Sequence, residues 1–319
     1  MSYRLCAFIF ASVLAQAQTL GNAGTLDLTI ADPTGAVIAG AEVTLSNALT
    51  QYRLAATTAS DGRARLFNVP YNVYVLTVAS PGFVTAQRKV EVRSAVPQTV
   101  HVGLDLAGAR TTIEVAADTA PIENVPSMHN DIGRALINRL PANSPASGLS
   151  DVLVLAAPGV VADSNGFFHP LGDHAQTSFL VDGQPINDQQ SKTFSTQLPL
   201  NAIEAVEAVT GAPGAEFGDK TSLVVVTTTR SALGQDRTHG SLDTHYASFG
   251  SPGVEATLGA GNQRLGNFLA VSGTRTGRFL DTPEFRPYHA IGNAQTIFNR
   301  MDWRATDKQM LHVKVLGMR

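Results

Sequence analysis

Apolar and polar residues alternate with a period of two along much of this chain, and turn residues cut the alternation into short runs. Leu26, Leu28 and Ile30 share one face of the first run, with Asp27 and Thr29 on the other. Asp32-Pro33-Thr34-Gly35 follows, with proline at i+1 and glycine at i+3 as a type I turn prefers. Ala41, Val43 and Leu45 alternate with Glu42 and Thr44, a run through Leu54 reaches the hairpin signal Ser60-Asp61-Gly62, and residues 64–69 continue the sheet. Tyr74, Leu76 and Val78 mark the next run, closed by Ser80-Pro81-Gly82-Phe83, with two more over 86–92 and 98–104. About seven short strands with regular turns predict a β-sandwich over residues 24–106.

The pattern then weakens. Residues 107–126 read as a linker holding one short alternation, Thr111, Thr112, Ile113, Glu114, Val115 and Ala116. From 127 to 232 the periods mix. Apolar residues recur at helical spacing over 132–140 and 149–155, and Ala157-Pro158-Gly159-Val160 stops the second run. Phe179, Leu180 and Val181 form a buried strand entering a tight Asp182-Gly183 turn, followed by Gln184, Pro185 and Ile186. Residues 201–209, containing Ile203, Glu204, Val206 and Glu207, read as a strand that ends near Gly211 and is followed by Gly218. Residues 223–230 form a β-branched strand, and the whole predicts an α+β domain.

After residue 238 the runs lengthen. Val254, Ala256, Leu258 and Ala260 oppose Glu255 and Thr257; Leu311, Val313 and Val315 oppose His312 and Lys314. Phe249, Phe268, Phe298 and Trp303 are expected near strand ends, as an aromatic girdle would be. Apolar-out, polar-in alternation is the pattern of a transmembrane barrel. About five strands fit over 238–319, too few to close a barrel. The expected fold is therefore mainly β: a sandwich, an α+β domain and an incomplete antiparallel transmembrane β-barrel. That last part should stay open and poorly packed, with exposed apolar faces, and the chain reads as a fragment or a truncated frame.

Composition fits this picture. Charged residues make up 15% of the 319 and hydrophobic ones 44%, with 28 glycines. With a net charge of -3, nothing suggests a nucleic-acid partner, which would call for a clustered basic face. Arg4, the apolar run 5–15 and Ala15-Gln16-Ala17 form a signal peptide over residues 1–17, too short to span a bilayer. The single cysteine, Cys6, lies inside it, so no disulfide is expected in the exported chain.

Catalytic chemistry finds little support. Gly214 and Gly218-Asp219-Lys220-Thr221 approach a P-loop, but Asp219 stands where lysine must follow glycine, and the spacing is one residue short. No nucleophile elbow occurs. His169 and His174, with Asp163 or Asp173, read as polar loop residues rather than metal ligands. Glu204 and Glu207, three apart in a strand, are expected on opposite faces, which makes a glycosidase-like carboxylate pair improbable. No catalytic residue, cofactor or metal site is expected.

Two resemblances sharpen the reading. Asp32, Gly35, Gly40-Ala41, Val43, Leu45, Asp61-Gly62, Phe67, Val69-Pro70 and Pro81-Gly82-Phe83 together resemble a carboxypeptidase regulatory-like domain, which implies a prealbumin-like (carbohydrate-binding-like) sandwich. No H-x-x-E pair accompanies it, so a carboxypeptidase zinc site is absent. The leucine helix ending in Pro158-Gly159-Val160, then Asp182-Gly183 with Pro185, then Ile203-Glu204 with Val206-Glu207 and Gly211, then Phe217-Gly218 and the strand to Arg230, resemble the plug domain of TonB-dependent outer-membrane receptors. Asp219 to Val224 departs from the usual glycine pair and "I-N", which leaves that turn open and suggests kinship with Oar-like receptors. The resemblance implies an outer-membrane receptor for energy-coupled uptake, with the sandwich in the periplasm and outer-membrane lipid around the full barrel. It implies strand addition of Thr111 to Ala116 to a periplasmic TonB-type energising protein. It also implies a small ligand of siderophore, vitamin or oligosaccharide class. The alternative is a secreted carbohydrate-binding or adhesion protein.

Overall fold

The computed structural model describes residues 22–48, 50, 52–107, 127–141, 148–162, 168–170, 177–186, 198–211, 217, 222–235, 237–277, 289–306 and 309–319. The signal peptide, Thr111 to Ala116, Gly218, Asp163, Asp173 and His174 lie outside the described residues.

The first domain is a seven-stranded sandwich: β1 (Ala23–Ala31), β2 (Glu42–Asn47), β3 (Tyr52–Thr57), β4 (Arg63–Pro70), β5 (Asn72–Ala79), β6 (Ala86–Val92) and β7 (Gln98–Gly103). One sheet runs β4-β1-β7 and the other β3-β2-β5-β6; only β1 and β7 are parallel. The period-two faces meet between them, where Leu26, Leu28, Ile30, Val43, Leu45, Leu66, Leu76 and Val78 are buried. The first turn forms as its residues require. The Asp32 carboxylate accepts bonds from the Thr34 and Ala36 amides at 2.8 and 2.9 Å, and Gly35 takes the left-handed conformation at φ 88°.

The second domain is built on a five-stranded sheet with order β12-β11-β14-β13-β8. Its elements are β8 (Ser127–Gly133), α1 (Arg134–Ile137), α2 (Gly148–Ala156), β9 (Val160–Ala162), β10 (Phe168–Pro170), β11 (Thr177–Val181), β12 (Gln184–Ile186), β13 (Ile203–Gly211) and β14 (Leu223–Thr229). β14 lies at the centre and every residue in it is buried. Leu223 and Val225 face the helices; Val224 and Val226 face the other way, as strand alternation demands. α2 places Leu149, Val152 and Leu153 in the core and ends at Ala156, after which Gly159 turns the chain at φ 79°.

The helix expected over 132–140 is shorter. Residues 127–133 form a strand with seven partners on β13, and Ile132 sits in it, so only Arg134–Ile137 is helical and a turn carries the chain to Leu140. Strand pairing with β13 outweighs the local helical spacing.

The third part is an antiparallel meander, β15 (His239–Ala247), β16 (Ser251–Gly261), β17 (Leu265–Thr276), β18 (Gly292–Thr306) and β19 (Gln309–Met318), each paired with the next. The sheet is open, as expected. Its outer face carries bare Leu242, Val254, Leu258, Ile297, Leu311, Val313 and Val315. Poor packing holds for that face and for β19, whose inward Met310, Leu316 and Met318 are also exposed. On the inner face Phe268, Ala270 and Phe298 join the same core as the helices and β13. This corrects the girdle assignment. Phe249 and Trp303 are exposed, but Phe268 and Phe298 point inward and fill the seat of the second domain.

Leu76 has no exposed surface and stands at the middle of the sandwich core. Leu76→Ala should destabilise the sandwich by about 2–5 kcal/mol, read as faster hydrogen exchange across β2 and β5 in urea. The meander should keep its wild-type rates.

Candidate functional site at the junction of the second domain and the meander

Asp182 and Gly183 form the two-residue loop between β11 and β12, with φ 48° and 79°. Two positive φ values make a type I′ turn, whose twist matches a hairpin and which aspartate-glycine favours. The turn is fastened to the end of β14. The Asp182 amide donates to the Thr227 carbonyl at 2.8 Å, and its carboxylate accepts from the Thr229 amide at 2.8 Å and the Thr229 hydroxyl at 2.6 Å.

The meander reaches this point with charge. Arg300 of β18 donates through Nη1 to the Thr229 carbonyl at 2.8 Å and the Thr229 hydroxyl at 3.0 Å, and its guanidinium lies 3.5 Å from the Asp182 carboxylate. Lys314 of β19 lies 2.8 Å from the other Asp182 oxygen. Arg300 Nε donates to Asp302 Oδ1 at 2.9 Å; His312 Nδ1 is 2.6 Å from that same oxygen, and the Ser231 hydroxyl donates to Oδ2. Side-chain exposure is 8% for Asp182, 5% for Arg300 and 1% for Asp302. Burial alone would raise the Asp182 carboxyl, but Arg300 and Lys314, with the bonds from Lys314 and Thr229, hold it below the usual carboxylate range. Both carboxylates are saturated by cations and donors, so the cluster ties two units together.

Glu204 and Glu207 lie nearby and correct a second expectation. Ile203 pairs with Thr229 but Ala205 pairs with Thr228, so Glu204 is the extra residue of a β-bulge. The bulge shifts the alternation by one, and both glutamates act on the same Tyr74 of the sandwich, adding to the burial that raises its phenol. Burial raises the Glu204 carboxyl against the attraction of Arg230 and Arg134. Arg134 donates to the Leu200 and Ile203 carbonyls, and Arg230 stacks 4.6 Å from the Phe268 ring centre. Glu207 pairs with His129 at 2.5 Å.

Of the other motif residues, Ile203 and Val206 are core, Pro185 is exposed on β12, and Gly211 closes β13 with φ 93°. Among the described residues no group of three or more His, Cys, Asp or Glu is placed to hold a metal. Sequence reasoning missed Thr229, Ser231, Arg300, Asp302, His312 and Lys314. A signal existed. Arg300 with Asp302, and His312 with Lys314, are two apart on the inward side of apolar-faced strands, where charge needs a partner.

A sandwich, a sheet-and-helix domain and a strand meander that packs on that domain through an inward charged cluster follow one another along the chain, an order that known proteins share. Residues 25–105 match the carboxypeptidase regulatory-like domain family and residues 121–224 the TonB-dependent Receptor Plug Domain family. The chain is similar to the TonB-dependent transporter Oar of Myxococcus xanthus, 27% identical over 186 residues. The match covers 56% of this chain and 17% of that relative, so the chain spans a minor part of it. The fold is similar to FpvA of P. aeruginosa bound to pyoverdine, with TM-score 0.50 and 14% identity over 61% of this chain and 25% of that one. It is equally similar to the alcaligin receptor FauA of Bordetella pertussis, with TM-score 0.50 and 17% identity over 61% of this chain and 32% of that one. Residues 25–105 thus carry a carboxypeptidase regulatory-like domain and residues 121–224 a TonB-dependent receptor plug domain, followed by an open set of five strands, and the chain is similar over these parts to a TonB-dependent transporter.

Asp182→Asn leaves Arg300 and Lys314 facing a neutral amide, and should loosen the plug from β18 and β19 by about 3–5 kcal/mol. The wild-type carboxyl titrates below its unfolded value of about 3.9. Its stabilisation is therefore present above that value and is lost as pH falls through the folded one. Exchange of the Thr229 amide should be insensitive to Asp182 ionisation between pH 6 and 8 and should rise in the variant throughout that range.

Proposed function

We propose that this chain is the gate-bearing part of an outer-membrane transporter that takes up a scarce ligand using energy from a periplasmic TonB-type protein, without catalysis. The observation that carries the reading is the plug–barrel latch at Asp182, Thr229, Arg300 and Lys314. A plug held by buried ion pairs stays shut at rest, and a pull on it can open it at a definite place.

The strands support the membrane placement. Their outward apolar face suits lipid, while inward positions carry Glu255, Arg300, Asp302 and Lys314. The sandwich lies at one end of the meander, where Arg304 stacks on Phe67 at 5.5 Å. Between strands, 262–264 and the step from Thr306 to Gln309 fall at that end, while 248–250 and the longest step, from Thr276 to Gly292, fall at the other. Outer-membrane barrels keep short turns on the periplasmic side, which supports a periplasmic sandwich. A secreted sugar-binding protein would have no use for the exposed apolar face.

The matched receptors include one bound to pyoverdine and one for alcaligin. For this chain the ligand class remains siderophore, vitamin or oligosaccharide. Coupling is assigned to Thr111, Thr112, Ile113, Glu114, Val115 and Ala116, which would add as a strand to the energising protein through backbone hydrogen bonds.

The test is capture of the chain by the immobilised periplasmic domain of the TonB-type protein. Wild type should bind, and Ile113→Pro, which removes a backbone donor, should bind at least about tenfold more weakly. Equal binding of the two would remove residues 111–116 from the mechanism. Failure of the wild type to bind would contradict energy coupling itself.

A further inference from the structure

We propose that the N-terminal sandwich is a regulatory cap on the plug, docked on the sheet face opposite the helices and strengthening the plug–barrel latch through Thr229. The proposal rests on the latch reading above and adds a role for the sandwich.

Three asparagines of the sandwich reach the plug. Asn22 Nδ2 donates to the Thr227 carbonyl and the Thr228 hydroxyl, each at 2.9 Å. Asn68, held in the left-handed conformation at φ 54°, donates to the Thr229 carbonyl at 3.1 Å. Asn72 donates to Asp131 at 2.7 Å. The Thr229 carbonyl also accepts from Arg300 at 2.8 Å, so one peptide group takes one donor from the sandwich and one from the barrel. Both bonds require the end of β14 in the same place. Each contact therefore raises the population of the other, and the coupling is reciprocal.

Two glycines show how close the docking is. Gly133 has an ordinary φ of -81°, yet a Cβ there would collide with the carbonyl oxygen of Thr50 in the sandwich. Gly234, φ 80°, lies under the Phe67 ring, where an added Cβ would stand 2.5 Å from Cδ2. Gly234 needs glycine for its φ in any case, but at Gly133 only the docked sandwich stands in the way of a side chain. An open cleft of about 1110 Å³, lined in part by Arg63, Arg237, His101 and His239, separates the rest of that flank from the barrel strands. The cap thus meets the barrel strands over a limited contact, and most of its bonds to the plug are between neutral groups, which suits release.

The experiment is hydrogen exchange on the whole receptor, followed by mass spectrometry. Gly133→Ala wedges the cap off without straining the plug backbone; Asn22→Ser with Asn68→Gly removes the bonds and keeps the left-handed turn. In both variants the Asp182 and Thr229 amides should exchange about tenfold faster, while the inner strands of the sandwich keep their protection. By reciprocity, Arg300→Gln should speed exchange of the Tyr71 amide, which donates to the Asn22 carbonyl at 3.2 Å. Wild-type rates at Asp182 and Thr229 in both cap variants, or at Tyr71 in Arg300→Gln, would overturn the cap. The readout needs no ligand and no energising protein, so failed capture with accelerated exchange would count against transport alone.

Discussion

The buried guanidinium of Arg300 is the constraint around which the three parts of this chain are arranged. A charge at that depth costs several kcal/mol unless it is paired and hydrogen-bonded. Its own strand supplies Asp302, and the remaining partners, Asp182 and Thr229, belong to the plug. β18 therefore cannot occupy its position without the end of β14 beside it. The plug turn in turn needs Arg300 and Lys314 to keep its carboxylate ionised inside the junction. Phe268, Ala270 and Phe298 add apolar burial around the same seat.

Chemistry divides the labour at β14. On one side the plug meets the barrel through full charges, and on the other it meets the sandwich through asparagine amides and threonine oxygens. Charge-assisted bonds are about twice as strong as neutral ones. The arrangement thus ranks the contacts, with the sandwich easier to detach than the latch. The bulge at Glu204 serves the same geometry by turning both glutamates of the strand toward the sandwich.

Much of this was legible in the residues. The sandwich could be read strand by strand, because period-two alternation and turn residues such as Asp32, Gly35 and Gly62 act locally. The Asp182-Gly183 turn was legible for the same reason. What escaped depends on distant pairing. Ile132 carries a helical spacing but is claimed by β13, and one inserted residue at Glu204 reverses a face assignment without any mark in composition. Phe268 and Phe298 look like girdle aromatics until the plug is placed beneath them. The latch residues escaped because Asp182 and Arg300 lie far apart in the chain, and alternation gives a residue's face but never its partner.

The central claim is that Asp182 and Arg300 hold plug and barrel together as one unit. A double-mutant cycle with Asp182→Asn and Arg300→Gln measures this most directly, using plug unfolding in the assembled receptor as the readout. The account predicts a coupling energy of about 1–3 kcal/mol, with the double variant less damaged than the sum of the singles. Additive losses, with a coupling energy near zero, would contradict it.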